Sequence, residues 1–139
     1  MNSIVETSFY PQVLKEFNYP FGNVFIFDKF VLSEIDEGID FGWDNGRTII
    51  QDVFGFLGTS NGATVNFISN RVNSYSVIAT DWIKFFNNNY LLKSYIVVFD
   101  KSRFSNLEIE KLFFKGNIKH FTALDIAVNF VENDMVEMI

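Results

Sequence analysis

Seven consecutive residues, Asn70-Arg71-Val72-Asn73-Ser74-Tyr75-Ser76, gather amides, hydroxyls and one guanidinium between an apolar strand-like run and the start of an amphipathic helix. Two kinds of chemistry suit them. The planar fork of Arg71 can hold a carboxylate or phosphate through two parallel hydrogen bonds. The hydroxyls of Ser74 and Ser76 can take a phosphoryl group, and the free amides of a helix opening near Thr80 would then stabilise the added charge. A second polar group, Asp100-Lys101-Ser102-Arg103, follows the next apolar run and would flank the first as a small cationic rim beside Asp100. The plainer alternative has the same side chains satisfying loop backbone, capping a helix and forming a structural ion pair.

Few other groups can do chemistry. His120 is the single histidine, so a histidine-rich metal site is excluded and any Ser-His-Asp arrangement would depend on that one ring, which falls in a strand-like run. With no cysteine there are no disulfides, thiolate nucleophiles or cysteine-ligated zinc. Asp36, Glu37, Asp40 and Asp44 cluster just ahead of the first helix, where a helix amino terminus attracts carboxylates for electrostatic reasons alone. Gly55, Gly58 and Gly62 lie on or after a helix rather than between a strand and a helix, so their spacing does not describe a phosphate loop. Nucleophile-elbow and dinucleotide signatures are also missing. The net charge of -6 would be repelled by phosphate backbones, and nucleic acid is not an expected partner. No cofactor is expected, and the missing catalytic constellation points away from an enzyme.

The elements that must position these groups follow from apolar periodicity. A chain of 139 residues, 48% hydrophobic with 18 Phe, is the size of one domain with a phenylalanine-rich core. Asn23 to Phe27 and Phe30 to Ile35 are two strands joined by Asp28-Lys29, a connection short enough for a tight hairpin. Trp43, Ile49, Ile50, Val53, Phe54 and Leu57 recur at helical spacing until Gly58 stops them. Thr64 to Ser69 is a strand, Asp81 to Asn88 a helix carrying Trp82, Phe85 and Phe86, and Tyr95 to Phe99 a central strand covered on both faces. Phe104, Leu107, Ile109, Leu112 and Phe113 give a third helix, and Ile118 to Phe121 a last strand. Thr122-Ala123-Leu124-Asp125 fits a capping box for a final helix whose inward stripe is Leu124, Ala127, Val128 and Val131.

Strands alternating with helices imply a mostly parallel α/β sheet of four to five strands with an antiparallel edge hairpin and about four helices. The polar loop at 70–76 then sits at the carboxyl end of a strand, where open α/β sheets usually accommodate ligands and partners. Residues 1–21 read as an irregular extension with one turn of helix near Val13 to Phe17, and residues 134–139 as a tail. The amino-terminal residues lack the basic start and apolar run of a signal peptide, and no apolar segment is long enough to span a bilayer, so a cytoplasmic location is the expectation.

The order hairpin, helix, strand, helix, strand, helix, strand, helix, with Ser69-Asn70-Arg71-Val72-Asn73-Ser74-Tyr75-Ser76-Val77 and Asp81-Trp82-Ile83-Lys84-Phe85-Phe86, resembles the SpoIIAA-like branch of the STAS superfamily over residues 22–133. The better understood relatives are anti-sigma-factor antagonists of bacterial signalling, in which a serine at the start of the helix after the second core strand is phosphorylated to control binding of a kinase partner. The corresponding loop here holds Ser74 and Ser76, while Asn73-Ser74-Tyr75-Ser76 stands where the family has Asp-Ser-Ser/Thr-Gly. This branch also has a structural similarity to CRAL-TRIO lipid-binding domains.

The resemblance implies a non-enzymatic regulatory or protein-interaction module, switched by phosphorylation in the 70–76 loop and bound by a kinase-like protein. Its surface would comprise Asn70, Arg71, Asn73, Ser74, Tyr75 and Ser76, with Thr80, Asp100, Lys101, Ser102 and Arg103 at its flank. The alternative is a small carrier that holds an apolar or anionic molecule in an aromatic-lined pocket. Apolar surface in excess of the core could equally form a homodimer seam.

Overall fold

The computed structural model describes residues 2–100 and 107–133 of the chain. Lys101, Ser102, Arg103, Phe104 and the 134–139 tail therefore lie outside the described residues. Six strands form one sheet: β1 (Lys15–Tyr19), β2 (Gly22–Ile26), β3 (Val31–Ile35), β5 (Asn66–Asn70), β7 (Ser94–Val98) and β8 (Ile118–Phe121), in that spatial order. The pairs β1·β2 and β2·β3 are antiparallel, and β3·β5, β5·β7 and β7·β8 are parallel. A separate two-stranded parallel ribbon joins β4 (Asp40–Phe41) to β6 (Ser76–Val77). The α-helices are α1 (Trp43–Leu57), α2 (Trp82–Asn87), α3 (Leu107–Phe113) and α4 (Leu124–Glu132).

The β2–β3 hairpin closes through Asp28-Lys29 as its short connection requires. Phe27 N–H donates to the Phe30 carbonyl at 2.8 Å, and the two rings stack with centroids 4.6 Å apart. Neither turn residue has positive φ, so the stacked pair and the flanking strands hold a turn that has no glycine. Helix α1 ends where Gly58 adopts the left-handed conformation, φ 72°, and its amide bonds back to Phe54. Asn89 ends α2 the same way at φ 64°.

Four expectations change. The extension before residue 22 is not irregular throughout: Lys15 to Tyr19 pairs with β2 as an edge strand, raising the sheet to six strands, and no helical turn forms at Val13 to Phe17. Its alternation places Phe17 and Tyr19 on one face, where the Tyr19 ring stacks with Phe21 at 5.0 Å, but the opposite face is polar as an edge strand allows. In α3 the inward face carries Leu107 and Glu110 and runs on to Phe114, leaving Ile109 and Leu112 exposed. Leu57 is likewise exposed at the end of α1. Thr122 caps nothing; β8 runs to Phe121 and Ala123, extended at φ -135°, is the residue that enters α4 without a side-chain cap.

Helices α1, α2 and α3 cover one face of the sheet, and α4 covers the other together with the amino-terminal residues. On that second face Ile4 is fully buried among Phe25, Leu32, Ile68 and Val128. The segment is held by Glu34, whose carboxylate accepts from Ser3 Oγ at 2.6 Å, from the Ile4 amide at 2.7 Å and from Asn70 Nδ2 at 2.8 Å. Residues that precede the first strand thus complete the core. Replacing Ile4 by alanine should cost about 2 to 5 kcal/mol, the usual range for emptying a packed aliphatic site, and a urea midpoint unchanged from the parent would show that the segment is dispensable.

Candidate functional site

A cavity of about 110 Å³ lies between the sheet and helices α1 and α2. Its floor is Ser33 and Ile35 of β3, Phe67 and Ser69 of β5, and Tyr95 of β7; its roof is Gly46, Ile49, Ile50, Val53 and Phe54 of α1 with Trp82 and Phe85 of α2. The β4–β6 ribbon closes one side with Phe41 and Val77, and Tyr75 stands beside it. Of the lining residues there, Gly42, Trp43 and Val77 are half-buried and Ile78 is exposed, so this edge of the cavity reaches the surface.

Each wall has a local cause. Asp81 sits on the amino terminus of α1, where its Oδ2 accepts from the Trp43 amide at 2.7 Å, while Asn45 Oδ1 accepts from the Gly42 amide at 2.9 Å. These two acceptors fix where α1 begins over the cavity. Gly46 lies one turn further on, and a Cβ built there would meet only Phe41, at an ordinary 3.8 Å. The glycine is therefore not required by backbone conformation; it leaves space.

Two serines are register neighbours on the cavity floor, Ser33 of β3 beside Ser69 of β5. Ser69 Oγ accepts from Arg71 Nε at 3.2 Å and is 2.9 Å from the Tyr75 hydroxyl. Ser33 is 4% exposed, and its hydroxyl has no hydrogen-bond partner among the described residues. It opens onto the cavity as a hydroxyl able to donate once and accept from whatever occupies the space.

Behind the floor runs a buried polar network. Arg71 Nη2 donates to Glu110 Oε2 at 2.6 Å and to the Tyr95 hydroxyl at 2.9 Å; that hydroxyl donates to Glu110 Oε1 at 2.9 Å, and Trp82 Nε1 donates to the same oxygen at 3.1 Å. Glu110 is completely buried. Burial alone would lower the affinity of Arg71 for its proton, but Tyr95, Tyr75 and Glu110 outweigh it and hold the guanidinium above the ordinary arginine range. The Tyr95 phenol is raised well above the usual tyrosine value by its burial and then by the Glu110 carboxylate. The ion pair is shut away from solvent.

Several residues expected at the surface therefore have other duties. Arg71 is 6% exposed and its Nη2 is turned inward to Glu110, so the surface clamp for a carboxylate or phosphate does not form. Asn70 faces the opposite side of the sheet, donating to Glu34 and to the Asn2 carbonyl at 3.2 Å, with its Oδ1 unpartnered. Asn73 donates to the Ile35 carbonyl at 3.1 Å. Ser74 and Ser76 are exposed, and their backbone ties the loop to the Gly38 and Ile39 backbone at 2.9 Å each. Thr80 and Asp100 are exposed, as are Asp36, Glu37, Asp40 and Asp44, and no group of three metal-ligating side chains occurs among the described residues. His120 stacks on Phe99 with centroids 4.0 Å apart and donates from Nε2 to the Phe99 carbonyl at 3.2 Å. No helix among the described residues is long and apolar enough to cross a membrane.

Ser33, Ser69, Tyr95, Gly46 and Glu110 were not expected at the site. A signal for Glu110 exists: it falls three residues after Leu107 and four before Phe114, on the inward face of α3. Ser33 and Ser69 each interrupt an apolar strand. Compared with protein-family models, with curated proteins and with solved structures, the chain finds no match.

Glu110→Ala should destabilise by roughly 3 to 5 kcal/mol because it strands the Arg71 charge, whereas Arg71→Met combined with Glu110→Leu should recover most of that loss; strictly additive urea-unfolding energies would refute the coupling. The folded Tyr95 binds its proton more tightly than the unfolded phenol, so its contribution to stability is intact below about pH 10 and is lost as the pH rises further. Stability measured from pH 8 to 11 should fall at the alkaline end, with a shallower slope in Tyr95→Phe.

Proposed function

We propose that this protein is a non-enzymatic binding module that takes a small apolar molecule into the cavity under α1 and α2. The observation that carries this reading is the coincidence, at one apolar cavity, of a helix glycine that backbone geometry does not demand and a floor serine hydroxyl with no partner among the described residues. A void of this kind, lined by aliphatic and aromatic side chains, is what small apolar ligands occupy. Its size sets a limit. At about 110 Å³ it suits a single ring or a short chain, not a long acyl chain.

A SpoIIAA-like, STAS-type architecture remains part of the proposal. It is supported by the antiparallel β2–β3 hairpin followed by α1, β5, α2, β7, α3, β8 and α4, with β3, β5, β7 and β8 parallel. One observation favours a second reading, a partner-facing switch at the 70–76 loop. The hydroxyl-bearing Ser74 and Ser76 are exposed on either side of Tyr75, which itself lines the cavity. A phosphate there would add nearly two charges to the rim. Ser74→Asp and Ser76→Asp should then alter capture of a protein partner without shifting the unfolding midpoint.

Gly46 supplies the test of the cavity. Gly46→Ala should raise stability by about 1 kcal/mol, since alanine is the better helix former and meets no clash. Gly46→Leu should fill the space. With saturating toluene, the parent and Gly46→Ala should show a higher melting temperature and Gly46→Leu should not. An equal rise in a folded Gly46→Leu would place binding elsewhere, and no rise in the parent would remove the cavity as a site.

A further inference from the structure

We infer that the ligand of this cavity is an uncharged, single-ring-sized molecule carrying one hydroxyl or similar hydrogen-bonding group, and that Ser33 is the residue that selects for it. This rests on the proposed function and narrows it to a chemical class.

Charge is the first constraint. Among the described residues the cation behind the floor is Arg71, and it is already engaged by the fully buried Glu110. Among the described residues the one acid on the lining is Asp81, whose carboxylate already accepts from the Trp43 amide and lies 3.4 Å from Lys84. An anionic ligand would enter a low-dielectric space with an acid on its wall and a cation already engaged. The desolvation of its charge would go uncompensated.

Hydrogen bonding is the second. The Tyr95 hydroxyl accepts from Arg71 and donates to Glu110, and Ser69 and Tyr75 are paired with each other, so these groups offer little to a newcomer. Ser33 Oγ is the exception on the floor, a hydroxyl able to donate once and accept twice with no partner among the described residues. A ligand with no polar atom would leave it unsatisfied; a ligand hydroxyl would satisfy both groups at once.

Phenol, toluene and benzoate share one ring and differ in the group attached. Calorimetric or NMR titration of the full chain at neutral pH should show phenol binding roughly threefold to tenfold more tightly than toluene, the size of one net hydrogen bond, and benzoate more weakly than either. Ser33→Ala, which keeps the strand and removes only the hydroxyl, should reverse the preference, weakening phenol, whose own hydroxyl is then left without a partner, and leaving toluene at least as tight as in the parent. If toluene matches phenol in the parent, or Ser33→Ala keeps the preference, the hydroxyl class is wrong although the cavity still binds. If benzoate binds best, the neutral class is wrong. If none of the three binds, the cavity reading itself fails.

Discussion

The ion pair between Arg71 and Glu110 is the interaction on which this end of the molecule depends. Taking two charges out of water is costly, and their attraction offsets that cost only when the geometry is good and the remaining donors and acceptors are filled. Here they are filled. Glu110 accepts from Arg71, Tyr95 and Trp82, and Arg71 reaches Ser69 and Tyr95 as well, so side chains from β7, from α2 and from the residue that follows β5 converge on one carboxylate of α3. A network with that many members has a single satisfied arrangement, which makes it better suited to specifying a position than to adding net stability.

What it positions is the cavity wall. Tyr95 and Trp82 line the space and are held by Glu110; Tyr75 is held by Ser69, and the Arg71 guanidinium lies 5.7 Å from its ring. The loop expected to act as an exposed anion-binding surface is instead drawn inward at its first residues and turned outward only at Ser74 and Ser76. Its chain path follows from the sheet: the Arg71 amide continues the ladder by donating to the Val98 carbonyl at 2.9 Å, which aims the side chain at α3 before the loop leaves the strand.

Much of this fold could be read from the residues, because the signals were local. The Asp28-Lys29 hairpin, the α1 stripe ending at Gly58 and the α4 stripe Leu124, Ala127, Val128 and Val131 each depend on spacing within one element. The misreadings were of another kind. β1 is a polar edge strand whose pairing with β2 is a tertiary fact, and the amino-terminal turn is ordered by Glu34, about thirty positions away in the chain. In α3 the apolar residues Ile109 and Leu112 misled the phase because the residue that belongs inside is charged, and its acceptability there depends on Arg71. The segment expected as a loop over 70–76 has its ends in β5 and β6, and whether the arginine within it faces solvent or a buried partner is decided by an element nearly forty residues on. Ser33 interrupts an apolar run and Gly46 a helical one, but a serine in a strand and a glycine in a helix are ordinary until the space between them is seen.

That space is the strongest argument that this domain holds something. Protein interiors are packed to the density of organic crystals, and about 110 Å³ of space between the sheet and its helices, open in part to solvent, departs from that density. Gly46 costs about 1 kcal/mol through lost helix propensity, a loss one methyl group would recover without a clash. Ser33 presents to the same space a hydroxyl with no partner among the described residues. Tyr95 and Trp82, both bonded to Glu110, stand on the wall beside it. A ligand that fills the space and bonds the hydroxyl would use the apolar lining and the hydrogen-bonding group together, which neither a wholly apolar nor a charged molecule could do.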